Sequence, residues 1–259
     1  MERCAGIYGD DTHLLTFASG GDSPLLRLFC FPHAGSGAVE FHAWQNLLPP
    51  GVQVVAVTLP GRERRIHETA MDDLAKVIHS VEHEIAPYLD RPFALFGHSL
   101  GALIAFELTC VLEASRLAVP VRLLVSACRS PTVRISPPYT HLLPDDDFIR
   151  DLRMLDGIND EIFVHKELMN LVLPALRADV KLYETYTYRP RPYLRTPITA
   201  LGGSSDPSVA EKHVAMWREC NPHSFRMRVL PGGHFYIRTY RELLLDIINV
   251  ELSEILIQR

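Results

Sequence analysis

The chain has 259 residues, of which 47% are apolar and 22% charged, with 26 Lys+Arg against 31 Asp+Glu for a net charge of −5. That composition is ordinary for a globular protein and excludes a disordered chain, a coiled coil and a collagen-like fibre. The acidic balance argues against a global electrostatic grip on nucleic acid or an anionic membrane, and the length favours one large α/β domain or two small ones.

The N-terminal segment carries Asp10, Asp11 and Asp22, and its longest apolar stretch is broken at Thr16. It reads as neither a secretory signal nor a transit peptide. No apolar run approaches the roughly 20 residues that span a bilayer. The five cysteines (Cys4, Cys30, Cys110, Cys128, Cys220) include no C-x-x-C pair. Reduced thiols, no zinc site and a cytosolic location are therefore expected.

Strands and helices then alternate, the pattern of a mainly parallel sheet flanked by helices. Leu25 to Phe31 reads as a buried strand, followed by a turn over Pro32 to Gly37. Phe41, Trp44, Leu47 and Leu48 have helical spacing and stop at Pro49-Pro50. Val52 to Leu59 is a β-branched run and a strand. Leu74, Val77, Ile78, Val81 and Ile85 recur at helical intervals and predict one apolar helix face. Phe93 to Phe96 is a short strand, Leu100 to Ala114 a helix, and Val121 to Ala127 another strand. From Ser136 to Tyr188 no strand-like run occurs. Asp145 to Leu155, Glu161 to Leu173 and Pro174 to Tyr188 predict three helical pieces, an insertion read as a lid. The alternation resumes with a strand over Ile198 to Leu201, a helix over Val209 to Glu219, a strand over Phe225 to Leu230 and a closing helix over Arg241 to Ile257. The expected organisation is a core of residues 1–135 and 189–259 carrying a helical lid at 136–188.

Gly97-His98-Ser99-Leu100-Gly101 is a G-x-S-x-G pentapeptide between a strand and a helix. In such an elbow the tight turn lifts the serine hydroxyl out at the carboxyl end of the sheet, and glycines are needed where side chains would strike the strand and helix. A serine hydroxyl needs a histidine to take its proton and a carboxylate to fix that histidine's tautomer. His234, in Pro231-Gly232-Gly233-His234 just after a strand, has the right place in the chain order. His98 flanks the nucleophile, His33 lies upstream, and His223 precedes a strand. Asp206, just after the Ile198 to Leu201 strand, is the matching acid, although it could equally cap a helix ahead of Pro207. Acyl transfer also needs donors for a developing oxyanion. The Leu100 N–H is one, and Ala34 N–H in Phe31-Pro32-His33-Ala34-Gly35 is the other, with Gly35 as fallback.

With these pieces in place, the chain resembles the type II thioesterases, stand-alone members of the α/β-hydrolase superfamily, from about Leu28 to Tyr240. The likeness rests on Phe31-Pro32-His33-Ala34-Gly35, on Leu59-Pro60-Gly61-Arg62-Glu63-Arg64-Arg65, on the segment Arg91 to Gly101, on Leu176-Arg177-Ala178-Asp179, and on Pro231 to Tyr236. It departs from the family at Ser36, often glycine, and at Leu100, often methionine. The resemblance implies an α/β-hydrolase fold, and hydrolysis of acyl thioesters held on the phosphopantetheine arm of a carrier protein that serves a nonribosomal peptide or polyketide synthase. It implies Ser99, Asp206 and His234 as the triad, the 136–188 segment as a mobile lid forming the acyl pocket, no cofactor, no metal and a monomer. Arg62, Arg64 and Arg65 are candidates for docking the acidic carrier protein, against the alternative of a solvated loop or ion pairs with Glu63. Arg177 and Asp179 are expected to pair with each other. A carboxylesterase, an acyltransferase or a non-catalytic binding module on the same scaffold stay open as alternatives.

Overall fold

The computed structural model describes residues 14–18, 24–116, 118–153 and 165–257. Among the described residues seven strands form one sheet in the order β1-β3-β2-β4-β5-β6-β7. They are β1 (Leu15–Phe17), β2 (Leu26–Phe31), β3 (Val52–Val57), β4 (Phe93–His98), β5 (Arg122–Ser126), β6 (Ile198–Gly203) and β7 (Phe225–Leu230). All neighbours run parallel except β1, which pairs antiparallel with β3. The helices are α1 (Leu74–Ile85), α2 (Leu100–Ser115), α3 (Asp145–Arg153), α4 (Lys166–Glu184), α5 (Glu211–Ala215) and α6 (Arg241–Ile257), with a helical turn at Tyr236–Thr239.

The central strands are predominantly apolar because both faces are covered. Along β2, Phe29 and Phe31 enter the core shared with α1 and α2, while Leu28 and Cys30 enter the one shared with α6. β4 repeats the alternation, with Phe93 and Leu95 on the first side and Ala94 and Phe96 on the second. α1 buries Val77, Ile78, Val81 and Ile85, and Asp73 caps it by accepting from the Ala75 and Lys76 N–H groups. A third cluster of Phe148, Leu152, Met169, Leu173 and Leu176 joins α3 to α4.

The strand order reverses at β2, whose successor β3 lies on one side while β4 to β7 lie on the other. The loops after β2 and β4 therefore diverge and leave a crevice at the carboxyl edge, the usual place for a site in an open α/β sheet.

Several local expectations change. The run Phe41 to Leu48 forms two 3₁₀ turns, Ala38–Phe41 and Trp44–Leu47, instead of one helix. The predicted pieces at 161–173 and 174–188 are one helix, α4, which contains Pro174; residues 154–164 lie outside the described residues. Pro174 and Asn170, whose carbonyl loses its helical donor, both lie on the exposed face, so water can replace the missing bond. The helix predicted over Val209 to Glu219 is α5 plus a 3₁₀ turn. The antiparallel strand β1 has no counterpart among the predicted strands, since three residues are too few to show a period. Among the described residues no helix is long and apolar enough to cross a membrane.

Candidate active site

Ser99 sits between β4 and α2 with φ 55° and ψ −119°, a left-handed conformation that a serine adopts only when its surroundings impose it. The close approach of strand, turn and helix imposes it, and the two flanking glycines permit that approach. A Cβ on Gly97 would lie 2.1 Å from the Gly101 carbonyl oxygen, and one on Gly101 would lie 2.1 Å from that of Phe31. Strand, turn and helix can approach this closely only without side chains there. The Ser99 N–H is also tied to the Ser126 carbonyl at 2.8 Å.

Three side chains from three loops meet at this edge. His234 Nε2 lies 3.0 Å from Ser99 Oγ. His234 Nδ1 lies 2.7 Å from Asp206 Oδ2. The other carboxylate oxygen, Oδ1, accepts from the backbone N–H of Ser208 at 2.8 Å and of Val209 at 3.1 Å, and from Ser208 Oγ at 2.8 Å. The Asp206 carboxylate is fully enclosed and the His234 ring nearly so. Burial alone would raise the Asp206 pKa, but the bonds from His234 and Ser208 outweigh it and hold the carboxyl below its ordinary value. An ionised Asp206 draws the imidazole proton to Nδ1 and leaves the Nε2 lone pair facing the serine hydroxyl. Asp206 thus combines the two roles left open by its sequence. It caps the turn before α5, and it orients His234.

Ser208 was not among the expected site residues. The Asp-Pro-Ser spacing, in which an aspartate side chain accepts from the N–H two residues on, carries its signal. His98 points away from Ser99, as its position suggested, and into the protein. Its ring bonds to Ser126 Oγ at 2.9 Å and to the His234 carbonyl at 3.0 Å.

Ser99, Leu100, Ala34 and His234 open onto a cavity of about 400 Å³. Its other walls include Leu152, Leu176, Val180, Tyr183, Val209 and Phe235, so helices α3 and α4 close over an apolar chamber. The Gly35 N–H donates to Asp179 Oδ2 at 2.8 Å. It is therefore committed, and of the expected oxyanion donors Ala34 and Leu100 are the two whose residues border the chamber.

Arg62 does not belong to the docking surface its sequence suggested. Arg62 is 4% exposed and makes a two-pronged ion pair with Asp179, which has no exposed surface. A guanidinium enclosed in this way cannot meet a partner protein. Arg64 donates to the Leu15 carbonyl, and Arg65 pairs with Glu68 and donates to the Thr58 carbonyl. Nor does Glu63 serve these arginines. Its carboxylate accepts from the N–H groups of Ala38 and Val39 at 3.1 and 3.0 Å. The expected Arg177–Asp179 pair is also absent, because helical residues two apart point to different sides. Arg177 instead donates to the carbonyls of His141 and Leu143 and to Asp145.

Among the described residues no cluster of three or more His, Cys, Asp or Glu side chains could hold a metal ion. Cys30, Cys110, Cys128 and Cys220 are buried free thiols, and Cys4 lies outside the described residues.

Residues 26–252 match the family described as the thioesterase domain. The gramicidin S biosynthesis protein GrsT of Aneurinibacillus migulanus is 39% identical over 212 residues, covering 82% of this chain and 83% of that protein. The type II thioesterase BorB from the borrelidin biosynthetic cluster superposes with a TM-score of 0.84 at 33% identity, over 95% of this chain and 98% of that one. YbtT, a type II thioesterase from the yersiniabactin NRPS/PKS biosynthetic pathway, gives a TM-score of 0.78 at 32% identity, over 88% and 93% of the two chains. With its seven-stranded sheet, its serine elbow and these relatives, the chain belongs to the thioesterase domain family of the α/β-hydrolase fold, among the type II thioesterases.

Proposed function

We propose that this protein hydrolyses acyl groups from the phosphopantetheine arm of carrier proteins, as an editing enzyme for a nonribosomal peptide or polyketide synthase. The observation that carries the chemistry is the hydrogen-bonded line from Ser99 Oγ through the His234 ring to Asp206, at the floor of an apolar chamber. Relatives from biosynthetic clusters support the synthase setting.

In this reading His234 Nε2 takes the Ser99 proton as Oγ attacks the thioester carbonyl. The Ala34 and Leu100 N–H groups hold the oxyanion. The tetrahedral species collapses, the C–S bond breaks, and the thiol leaves with the proton from His234. Water then attacks the acyl-serine, giving its proton to Nε2, and the same steps release the acid and restore Ser99. A thiolate is a good leaving group, so little acid assistance is required. The 136–188 segment acts as the lid, with α3 and α4 forming the wall against which the acyl chain packs.

The test is a comparison of an acyl-pantetheine thioester, the same acyl group on a carrier protein, and the matching oxygen ester. Faster turnover of the two thioesters, and loss of about 10³-fold or more of that turnover in Ser99→Ala, are expected. A Ser99→Ala protein that keeps its thioester turnover would overturn the nucleophile. Equal preference for the oxygen ester would make the protein a general esterase.

A further inference from the structure

The loop that follows β2 is held at several of its backbone groups. The His33 carbonyl accepts from the Ser36 N–H at 3.1 Å. The Ala34 carbonyl lies 2.9 Å from Nδ1 of the His33 ring, and since a carbonyl can only accept, Nδ1 carries the hydrogen. The Gly35 N–H donates to Asp179. The Ser36 carbonyl takes a long bond from Arg62, the partner of Asp179.

These contacts have a geometric consequence. The Ala34 carbonyl and the Gly35 N–H are opposite ends of one planar peptide. Holding both ends fixes the rotation of that plane. The preceding plane, His33–Ala34, is held through its carbonyl by the Ser36 N–H, and Ala34 borders the chamber together with Ser99. Gly35 adopts φ +77°, and a Cβ there would lie 2.9 Å from Leu176 of α4, so the helix sits directly on this peptide. Asp179 is one turn further along the same helix.

We propose that His33 and Asp179 are positioning residues for the oxyanion donor Ala34. They clamp the Ala34–Gly35 peptide from its two ends, His33 from the loop itself and Asp179 from the helix that walls the acyl chamber. Arg62 holds Asp179 in place through its two-pronged ion pair, which gives the Pro-Gly-Arg-Glu segment a role inside the site. The proposal rests on Ser99 as nucleophile and on Ala34 N–H as oxyanion donor. It adds that alignment of that donor depends on two side chains that never touch substrate.

Paired substitutions separate alignment from folding. In His33→Asn the side-chain amide nitrogen takes the place of Nδ1 and keeps the bond to the Ala34 carbonyl. In His33→Gln it takes the place of Nε2, which faces Glu40 and Arg238, and that bond is lost. His33→Asn is expected to keep kcat within about fivefold, while His33→Gln lowers it about 10²-fold with KM within about threefold, the size of a lost oxyanion donor. Asp179→Asn keeps an acceptor for Gly35 and is expected to lose much less than Asp179→Ala. A trifluoromethyl ketone analogue of the acyl thioester, which forms a tetrahedral adduct on serine, should weaken in parallel with kcat across the series. Equal kcat in the two His33 variants would overturn the proposal, as would analogue affinity that stays constant while kcat falls. Ser99→Ala is run alongside: retained thioester turnover there would overturn the parent reading instead, whereas with Ser99→Ala inactive the His33 pair alone decides whether the clamp exists.

Discussion

The His98 ring and the His234 backbone are joined by a hydrogen bond of 3.0 Å from Nε2 to the carbonyl oxygen. Because that carbonyl accepts, Nε2 carries the hydrogen. Burial keeps the ring neutral by lowering its pKa well below the ordinary value, helped by the nearby His234 and His33. Nδ1 must then accept from Ser126 Oγ. Ser126 Oγ in turn accepts from the Tyr236 hydroxyl at 2.6 Å, whose oxygen takes the Ala127 N–H. The chain of bonds runs in one direction, from the end of β5 to the loop that carries His234.

That direction predicts graded effects along the chain. Tyr236→Phe removes one buried hydroxyl and should cost about 1–2 kcal/mol of stability with activity largely kept. His98→Ala strands the His234 carbonyl and the Ser126 hydroxyl, and should cost about 2–4 kcal/mol. It should also lower kcat at least tenfold, because the loop loses its anchor. His98→Gln restores a donor toward His234 and should recover most of kcat. Urea unfolding and steady-state kinetics on the four proteins check this order, and a His98→Ala enzyme with undiminished kcat would refute it.

The elbow glycines predict a different signature. In Gly101→Ala the new Cβ meets the Phe31 and Pro32 carbonyl oxygens at 2.1 and 2.6 Å. Those atoms are backbone in a central strand and its loop, so they cannot step aside. A loss of about 3 kcal/mol or more is expected, with a matching fall in soluble yield. Gly233→Ala is the control: its nearest neighbour would be 3.8 Å away, and its stability should stay within about 0.5 kcal/mol of the parent.

Asp206 sets a pH dependence whose sign follows from its lowered pKa. A carboxyl held below its ordinary value of 3.8 in the folded protein contributes stability at pH values above that figure. The contribution is lost as pH falls through the folded value, because the unfolded chain then binds the proton first. Asp206→Asn should therefore lose stability at pH 7 and show a shallower decline below about pH 4 than the parent. Thermal melts of both proteins from pH 3 to 7 test it, and parallel curves would contradict it.

The buried thiols should be silent. Burial pushes Cys110, Cys128 and Cys220 up to about 12, and Cys30 well above its ordinary value. A thiol reacts as its thiolate, so none of the four should react with Ellman's reagent at pH 8 until denaturant is added. Peptide mapping of the labelled native protein would locate any exception.

Much of this architecture is legible along the chain. β2, β3 and β4 stand out as largely apolar or β-branched runs of strand length, α1 as a set of apolar positions at helical spacing, and α6 as a helical segment whose predicted ends match the observed ones. The G-x-S-x-G elbow marks Ser99, and its place after a strand together with the chain order singles out Asp206 and His234 among many acids and histidines. These features are local, and a period of two or 3.6 residues records which way each side chain faces. The partners of Arg62, Arg177 and Asp179 are not local. Arg62 and Asp179 are 117 residues apart, and nothing in the spacing of either segment distinguishes that pairing from Arg62 with Glu63 or Arg177 with Asp179. The choice between a surface arginine and a buried one was made when α4 packed over the loops at Gly35 and Gly61, enclosing the guanidinium and leaving one carboxylate within reach. Side-chain pattern specifies each element and the face it buries, whereas the identity of a buried ion pair depends on where separate elements come to rest against one another.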